Sequence, residues 1–112
     1  MGRRMCVLLV DGEPMVRRAL RRWLTRDGFE VLEAATRAEA EASCELARVD
    51  VALVDVRLGG EEGFEVARAL AHHGVAVAVM SSLPIEPAPP FALLRKPIEG
   101  RGLSRLLREL VT

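Results

Sequence analysis

Four side chains in this sequence are of types that together could handle a phosphoryl group: the carboxylates of Asp11 and Asp55, the Ser81 hydroxyl and the Lys96 ammonium. Carboxylate oxygens suit a hard cation such as Mg²⁺, which takes few protein ligands and keeps several waters. A metal and an ammonium together neutralise charge spread over a phosphoryl group in flight, while a hydroxyl fixes one of its oxygens. Lys96 also stands out by composition: of 16 basic residues it is the single lysine, in Arg95-Lys96-Pro97. Lysine and arginine are not equivalent where a compact point charge is needed.

Each of the four closes a run that reads as a buried strand. Val51-Ala52-Leu53-Val54-Asp55 is unbroken, apolar and β-rich, the pattern of a strand covered on both faces, and it runs into the glycine-rich turn Val56-Arg57-Leu58-Gly59-Gly60. An aspartate is rarely buried without a reason, which puts Asp55 at the strand's carboxyl end, facing a crevice. Cys6–Val10 ends on Asp11, Val75–Met80 on Ser81 and Ser82, and Phe91–Leu94 on Arg95 and Lys96; Phe29–Ala34 is a further short strand.

Helices fall between these runs. Pro14 suits a first turn, after which Val16, Ala19, Leu20, Trp23 and Leu24 keep helical spacing, with Arg17, Arg18, Arg21 and Arg22 on the other face and Gly28 closing the helix. Trp23 reads as a core residue. Thr36 and Glu39 form a capping box that opens a second helix, reaching about Arg48. Phe64, Ala67, Leu70 and Ala71 mark a third, closed by Gly74, with His72 and His73 in its last turn, where adjacent histidines diverge and do not share a metal. A final helix from Gly100 or Arg101 to Val111 turns Leu103, Leu106, Leu107, Leu110 and Val111 inward. The order is therefore β-α-β-α-β-α-β-loop-β-α. It implies an α/β fold, a parallel sheet covered on both faces through right-handed crossovers, with ligands outside the carboxyl ends of the strands. Four chemically useful side chains at one end of such a sheet make a site.

A length of 112 residues is one domain, 1–112. Half the residues are hydrophobic and the formal net charge is zero, which marks a globular chain and argues against a general nucleic-acid or membrane-surface binder. No apolar run approaches the roughly 20 residues of a membrane span, and the amino terminus lacks a signal-peptide pattern, so a cytoplasmic protein is expected. Cys6 and Cys44 show no ligand-like pairing and read as buried, reduced thiols. No G-x-G-x-x-G or P-loop pattern follows a strand, which disfavours a nucleotide binder.

The chain resembles the receiver domain of two-component response regulators over essentially its whole length. The resemblance is carried by Val10-Asp11-Gly12-Glu13-Pro14, Asp50 through Leu58, Gly63-Phe64-Glu65-Val66, Val79-Met80-Ser81-Ser82 and Leu94-Arg95-Lys96-Pro97. It implies a flavodoxin-like, doubly wound five-stranded parallel sheet in the order 2-1-3-4-5. It implies Asp55 as the acceptor of a phosphoryl group from a histidine kinase or phosphotransfer protein, a signalling module and not an enzyme apart from self-phosphorylation and autodephosphorylation. Mg²⁺ would be held by Asp11, Asp55 and the backbone carbonyl of Arg57. Ser81 would hydrogen-bond a phosphoryl oxygen, Lys96 would pair with Asp55 or its phosphate, and Pro97 would follow a cis peptide bond.

Departures from the family's pattern accompany the matches. Two adjacent acids usually follow the first strand; here the second is Gly12, so Mg²⁺ binding is expected to be weak, with Glu13 a rescue ligand only if the loop rearranges. Gly59 stands where a proline is usual, and Leu93 where a switch aromatic is usual. Leu83-Pro84-Ile85-Glu86-Pro87-Ala88-Pro89-Pro90 cannot form the family's fourth helix, since an interior proline costs about 3 kcal/mol. A proline-rich strap is expected instead; at about 3.1 Å per residue it can cross back along a strand without a helix. Either the face near the last two strands is left open, for a partner protein or a second copy, or Leu83 and Ile85 fold over and seal it. Two functions follow: a phosphoacceptor that signals to a downstream target or effector domain, and a receiver-like interaction module that works without phosphorylation.

Overall fold

The computed structural model describes residues 3–58 and 61–111 of the chain. Gly59 and the end of the glycine turn lie outside the described residues. The elements in order are β1 (Cys6–Val10), α1 (Pro14–Arg26), β2 (Glu30–Ala34), α2 (Arg37–Leu46), β3 (Val51–Asp55), β4 (Arg57–Leu58), β5 (Glu61–Glu62), α3 (Gly63–His72), β6 (Ala76–Ser81), β7 (Ala92–Arg95) and α4 (Leu103–Val111). Five strands form one parallel sheet in the order β2-β1-β3-β6-β7, the arrangement expected. β1 and β3 are buried at every residue, as their apolar runs require.

Helices α2 and α3 cover one face, where Ala40, Val66, Ala67 and Leu70 meet Leu8, Val10, Ala52 and Val54. Helices α1 and α4 cover the other, where Leu20, Leu24, Leu103 and Leu107 meet Val7, Leu9, Leu53 and Met80. The expected punctuation is present. Pro14 opens α1, and Gly28 and Gly74 follow α1 and α3 in left-handed backbone, at φ 94° and 82°. The Thr36 hydroxyl accepts from the Glu39 amide at 3.2 Å, and the Glu39 carboxylate accepts from the Ala35 amide at 2.7 Å. Lys96–Pro97 is cis.

Several boundaries and burial assignments differ from expectation: Val111, expected to turn inward, is 37% exposed, and Cys44, expected to be buried, is only partly so. α2 stops at Leu46, short of Arg48, and α4 starts at Leu103, after Gly102 at φ +83°, not at Gly100 or Arg101. The turn after Asp55 holds a two-residue antiparallel pairing, Arg57 with Glu62 and Leu58 with Glu61, too short to leave any periodic signal. Trp23 is not core: it is 39% exposed, at the edge of the α1 stripe. Its ring lies against Gly100, where an added Cβ would come within 2.1 Å of it, and Arg26 sits over the ring at 5.6 Å.

Residues 82–91 form no helix and no strand, as four prolines dictate. The strap does not seal the sheet edge. Leu83 is 52% exposed, Ile85 and Phe91 are half-buried, and β7 stays half-buried over Ala92–Leu94.

Candidate functional site

The parallel register brings the site together. Asp55 pairs across with Met80, and Ser81 with Arg95, so β3, β6 and β7 end at one level. The Val56 amide continues the ladder to the Met80 carbonyl at 3.0 Å, and the Lys96 amide donates to the Ser81 carbonyl at 2.8 Å. On the other side of β3, the Asp11 amide donates to the Ala34 carbonyl at 3.1 Å and fixes the end of β1.

Asp11 and Asp55 are held in matching ways. Asp11 Oδ1 accepts from the Glu13 amide at 2.9 Å, and Asp55 Oδ1 accepts from the Arg57 amide at 3.1 Å. These are Asx-type bonds to the backbone two residues on, the short-range bonding that aspartate favours at turns. The second oxygen of each faces Lys96, whose ammonium donates to Asp11 Oδ2 at 2.7 Å and to Asp55 Oδ2 at 2.9 Å. Both carboxylates are buried, and the lysine side chain is 14% exposed. Burial on its own pushes the Lys96 ammonium down, but the hydrogen bonds and charges of Asp11 and Asp55 outweigh it and hold the group above its ordinary value.

A cavity of about 180 Å³ opens beside this cluster, lined by Glu13, Asp55, Val56, Arg57, Ser81, Ser82 and Lys96. Asp11, Glu13 and Asp55 each bring a carboxylate oxygen within 4.8 Å of the others. An all-oxygen, anionic donor set suits Mg²⁺ and not a soft metal, so the residues fit the cation that the resemblance implies. Glu13 reaches this cluster although its neighbour Gly12 carries no acid. A Cβ built at Gly12 meets nothing within 4 Å, so open space, not crowding, surrounds the position where the usual acid is absent.

Ser81 lines the cavity and its hydroxyl is engaged by Leu83: it donates to the Leu83 carbonyl at 2.7 Å and accepts from the Leu83 amide at 3.1 Å. The structure thus brings Asp11, Glu13, Asp55 and Lys96 together and ties Ser81 to the first residue of the strap. Two supporting residues escaped the sequence reading. Arg17 donates to the Asp11 carbonyl at 2.6 Å and to Glu33 at 3.0 Å, clamping the turn after β1 against β2; within an arginine-rich helix it carried no distinguishing signal. Gly63 lies so close to the end of β3 that a Cβ there would sit 2.0 Å from the Asp55 carbonyl oxygen. Its position at the start of a helix was visible, but the close approach that requires glycine was not.

Residues 7–85 match the response regulator receiver domain family. Among curated proteins, the chain is 38% identical over 69 residues to the transcriptional regulatory protein AruR of Pseudomonas aeruginosa, covering 57% of this chain and 28% of that one. It is 37% identical over 79 residues to the positive alginate biosynthesis regulatory protein of the same organism, covering 68% and 32%. The chain therefore spans less than a third of the length of these relatives. Among solved structures, the chemotaxis protein CheY4 of Vibrio cholerae superposes with a TM-score of 0.85 at 25% identity, over 96% of this chain and 98% of that one. The sheet order, the convergence of Asp11, Asp55 and Lys96, and a family match over well over half of the sequence agree: this chain belongs to the response regulator receiver domain family.

Proposed function

We propose that residues 1–112 act as one phosphoacceptor domain, with Asp55 taking a phosphoryl group from the phosphohistidine of a histidine kinase or phosphotransfer protein. The observation that carries this reading is the shared lysine: one ammonium bridges Asp11 and Asp55 at the mouth of a cavity that Ser81 also lines. In the transfer, an Asp55 carboxylate oxygen forms a bond to phosphorus as the donor's nitrogen–phosphorus bond breaks. The imidazole leaves with the electron pair, and Asp55 becomes a mixed carboxylic–phosphoric anhydride. Lys96 then pairs with the phosphoryl oxygens, and the Ser81 hydroxyl donates to one of them after leaving the Leu83 carbonyl. Asp11, Glu13, Asp55 and the Arg57 carbonyl would hold Mg²⁺, which when bound supplies charge neutralisation at the phosphoryl oxygens. Glu13 replaces the acid missing at Gly12, and the site is a weak one.

Output runs through protein contacts, to a downstream target or effector domain. The half-buried β7 edge beside the strap, with Phe91 and Leu93, is the face offered to such a target or to a second copy of the chain. Among the described residues no helix is long and apolar enough to cross a membrane, and we place the protein in the cytoplasm.

The test is incubation with a small-molecule phosphodonor and Mg²⁺, read by intact mass. One phosphoryl adduct in the unmodified protein and none in Asp55→Asn is the expected result. No adduct from small-molecule donors, from beryllofluoride as an analogue, or from a cognate kinase overturns it. That outcome favours a phosphorylation-independent interaction module, the reading to which the engaged Ser81 hydroxyl, Gly12 and Leu93 lend support.

A further inference from the structure

Leu46, in the last turn of α2, is 88% exposed, more than any other large apolar side chain among the described residues. Ala42 lies one turn before it on the same side of the helix and is exposed too. Beside them stands Glu45, exposed and in no ion pair among the described residues. The end of α2 is thus an apolar knob with an unpaired carboxylate at its side.

α3 carries the converse. Arg68, Ala71 and His72 lie three and four residues apart, and with Phe91 they line a groove of about 280 Å³. The groove exists because four prolines stand in place of a helix: Phe91 follows the strap and stays half-buried, with no crossover helix laid over it. Ala71 and Phe91 make it apolar, and Arg68 on its rim is exposed and likewise in no ion pair among the described residues. Small-molecule pockets run from about 300 to 1,000 Å³. This groove falls just short of that range and suits a protruding side chain better than a metabolite.

Knob and groove match in shape and in charge, and both are on this chain. We propose that they join copies of it head to tail: Leu46 of one copy enters the groove of the next, and Glu45 pairs there with Arg68. Both features lie at the amino-terminal ends of the strands, since α2 and α3 end shortly before β3 and β6 begin, and Phe91 immediately precedes β7. They sit on opposite flanks of one helical layer. α2 packs over β1 and β2, whereas the groove lies between α3 and the β7 edge. A two-fold axis cannot close both contacts at once, so the contact is heterologous and propagates from copy to copy.

One apolar side chain and one exposed ion pair fall well below the about 1,200 Å² of a stable interface, so the association is weak and needs a high protein concentration. It goes beyond the phosphoacceptor reading: it uses the uncovered Phe91 and nothing of the cavity at Asp55.

The test is sedimentation equilibrium of the full chain, without phosphodonor, over a concentration series into the millimolar range. The average mass is expected to rise past that of a dimer without a plateau. Leu46→Gln and Arg68→Glu are each expected to weaken association by about tenfold or more at unchanged thermal stability, since both positions are exposed. Each variant keeps the half that the other lacks, so an equimolar mixture of the two is expected to associate and to stop at a dimer. Glu45→Arg combined with Arg68→Glu in one chain is expected to restore association, and Asp55→Asn to leave it unchanged. A monomer at every concentration, a mass that stops at a dimer in the unmodified chain, undiminished association in either single variant, or a mixture that stays monomeric overturns the proposal.

Discussion

At the scale of single residues, Lys96 is what allows two buried carboxylates to stand at the ends of neighbouring strands. Its removal in Lys96→Met leaves Asp11 and Asp55 facing one another without a counter-ion, and is expected to cost about 3–5 kcal/mol in denaturant unfolding. The pH dependence has a definite sign. A lysine whose folded pKa lies above its ordinary 10.5 contributes its full stability below that value and loses it as pH rises through the folded one. Stability of the unmodified protein should therefore fall on the alkaline side, with a smaller slope there in Lys96→Met. At the turn after β1, Gly12→Asp has open space and adds a carboxylate beside Asp11, Glu13 and Asp55. It is expected to raise Mg²⁺ affinity by about tenfold or more in a calorimetric titration, and Glu13→Gln to lower it. Asp11, Asp55 and Lys96 were legible in the sequence because buried parallel strands deliver their last residues to one edge. Ser81 was legible for the same reason, but the engagement of its hydroxyl by Leu83 was not, because that bond depends on how the chain turns after β6.

At the scale of elements, the replaced crossover and the start of α3 carry the consequences. Ile85, Glu86 and Ala88 have no amide hydrogen bond among the described residues, so their amides should exchange rapidly while those of β6 are protected. Helical protection across 85–88 would contradict the strap. Because Ser81 bonds both polar backbone groups of Leu83, the strap begins at the site itself. Gly63→Ala would force α3 off the end of β3, and is expected to cost about 1–3 kcal/mol or more, read as a lowered denaturant midpoint. The helices and strands were legible from periodicity, since their apolar spacing matches the packed faces. Periodicity misjudged Trp23: at about 100° per residue it sits a full step from Leu24, where the apolar stripe ends and solvent begins. The β4–β5 pairing, two residues on each side, is below what any pattern can signal.

At the scale of the whole molecule, zero net charge conceals a strong segregation. Cations gather on α1, where Glu33 of β2 meets two of them, while Asp50 is met by Arg3 near the amino terminus. Burial pushes the Glu33 carboxyl up, but Arg21 and Arg17 outweigh it and hold it below 4.5; burial likewise pushes Asp50 up, and the Cys6 amide and Arg3 hold it below 3.8. Depressed carboxyls contribute stability above their ordinary values and lose it as pH falls through the folded ones. Acid unfolding should therefore set in below about pH 4.5, with Glu33→Gln flattening that slope. The parallel architecture was legible because alternating strands and helices admit few topologies, and the strap because proline excludes a helix whatever surrounds it. How much sheet the strap leaves uncovered was open in the sequence, since it depends on where Leu83 and Ile85 turn. The central claim is that Asp55 is the acceptor, and chemical trapping tests it most directly. Borohydride reduces an aspartyl phosphate to homoserine, and peptide mass mapping after treatment with a phosphodonor and Mg²⁺ locates the product. Homoserine at position 55 alone is the predicted result; a phosphoryl group at another residue, or none at position 55, would contradict it.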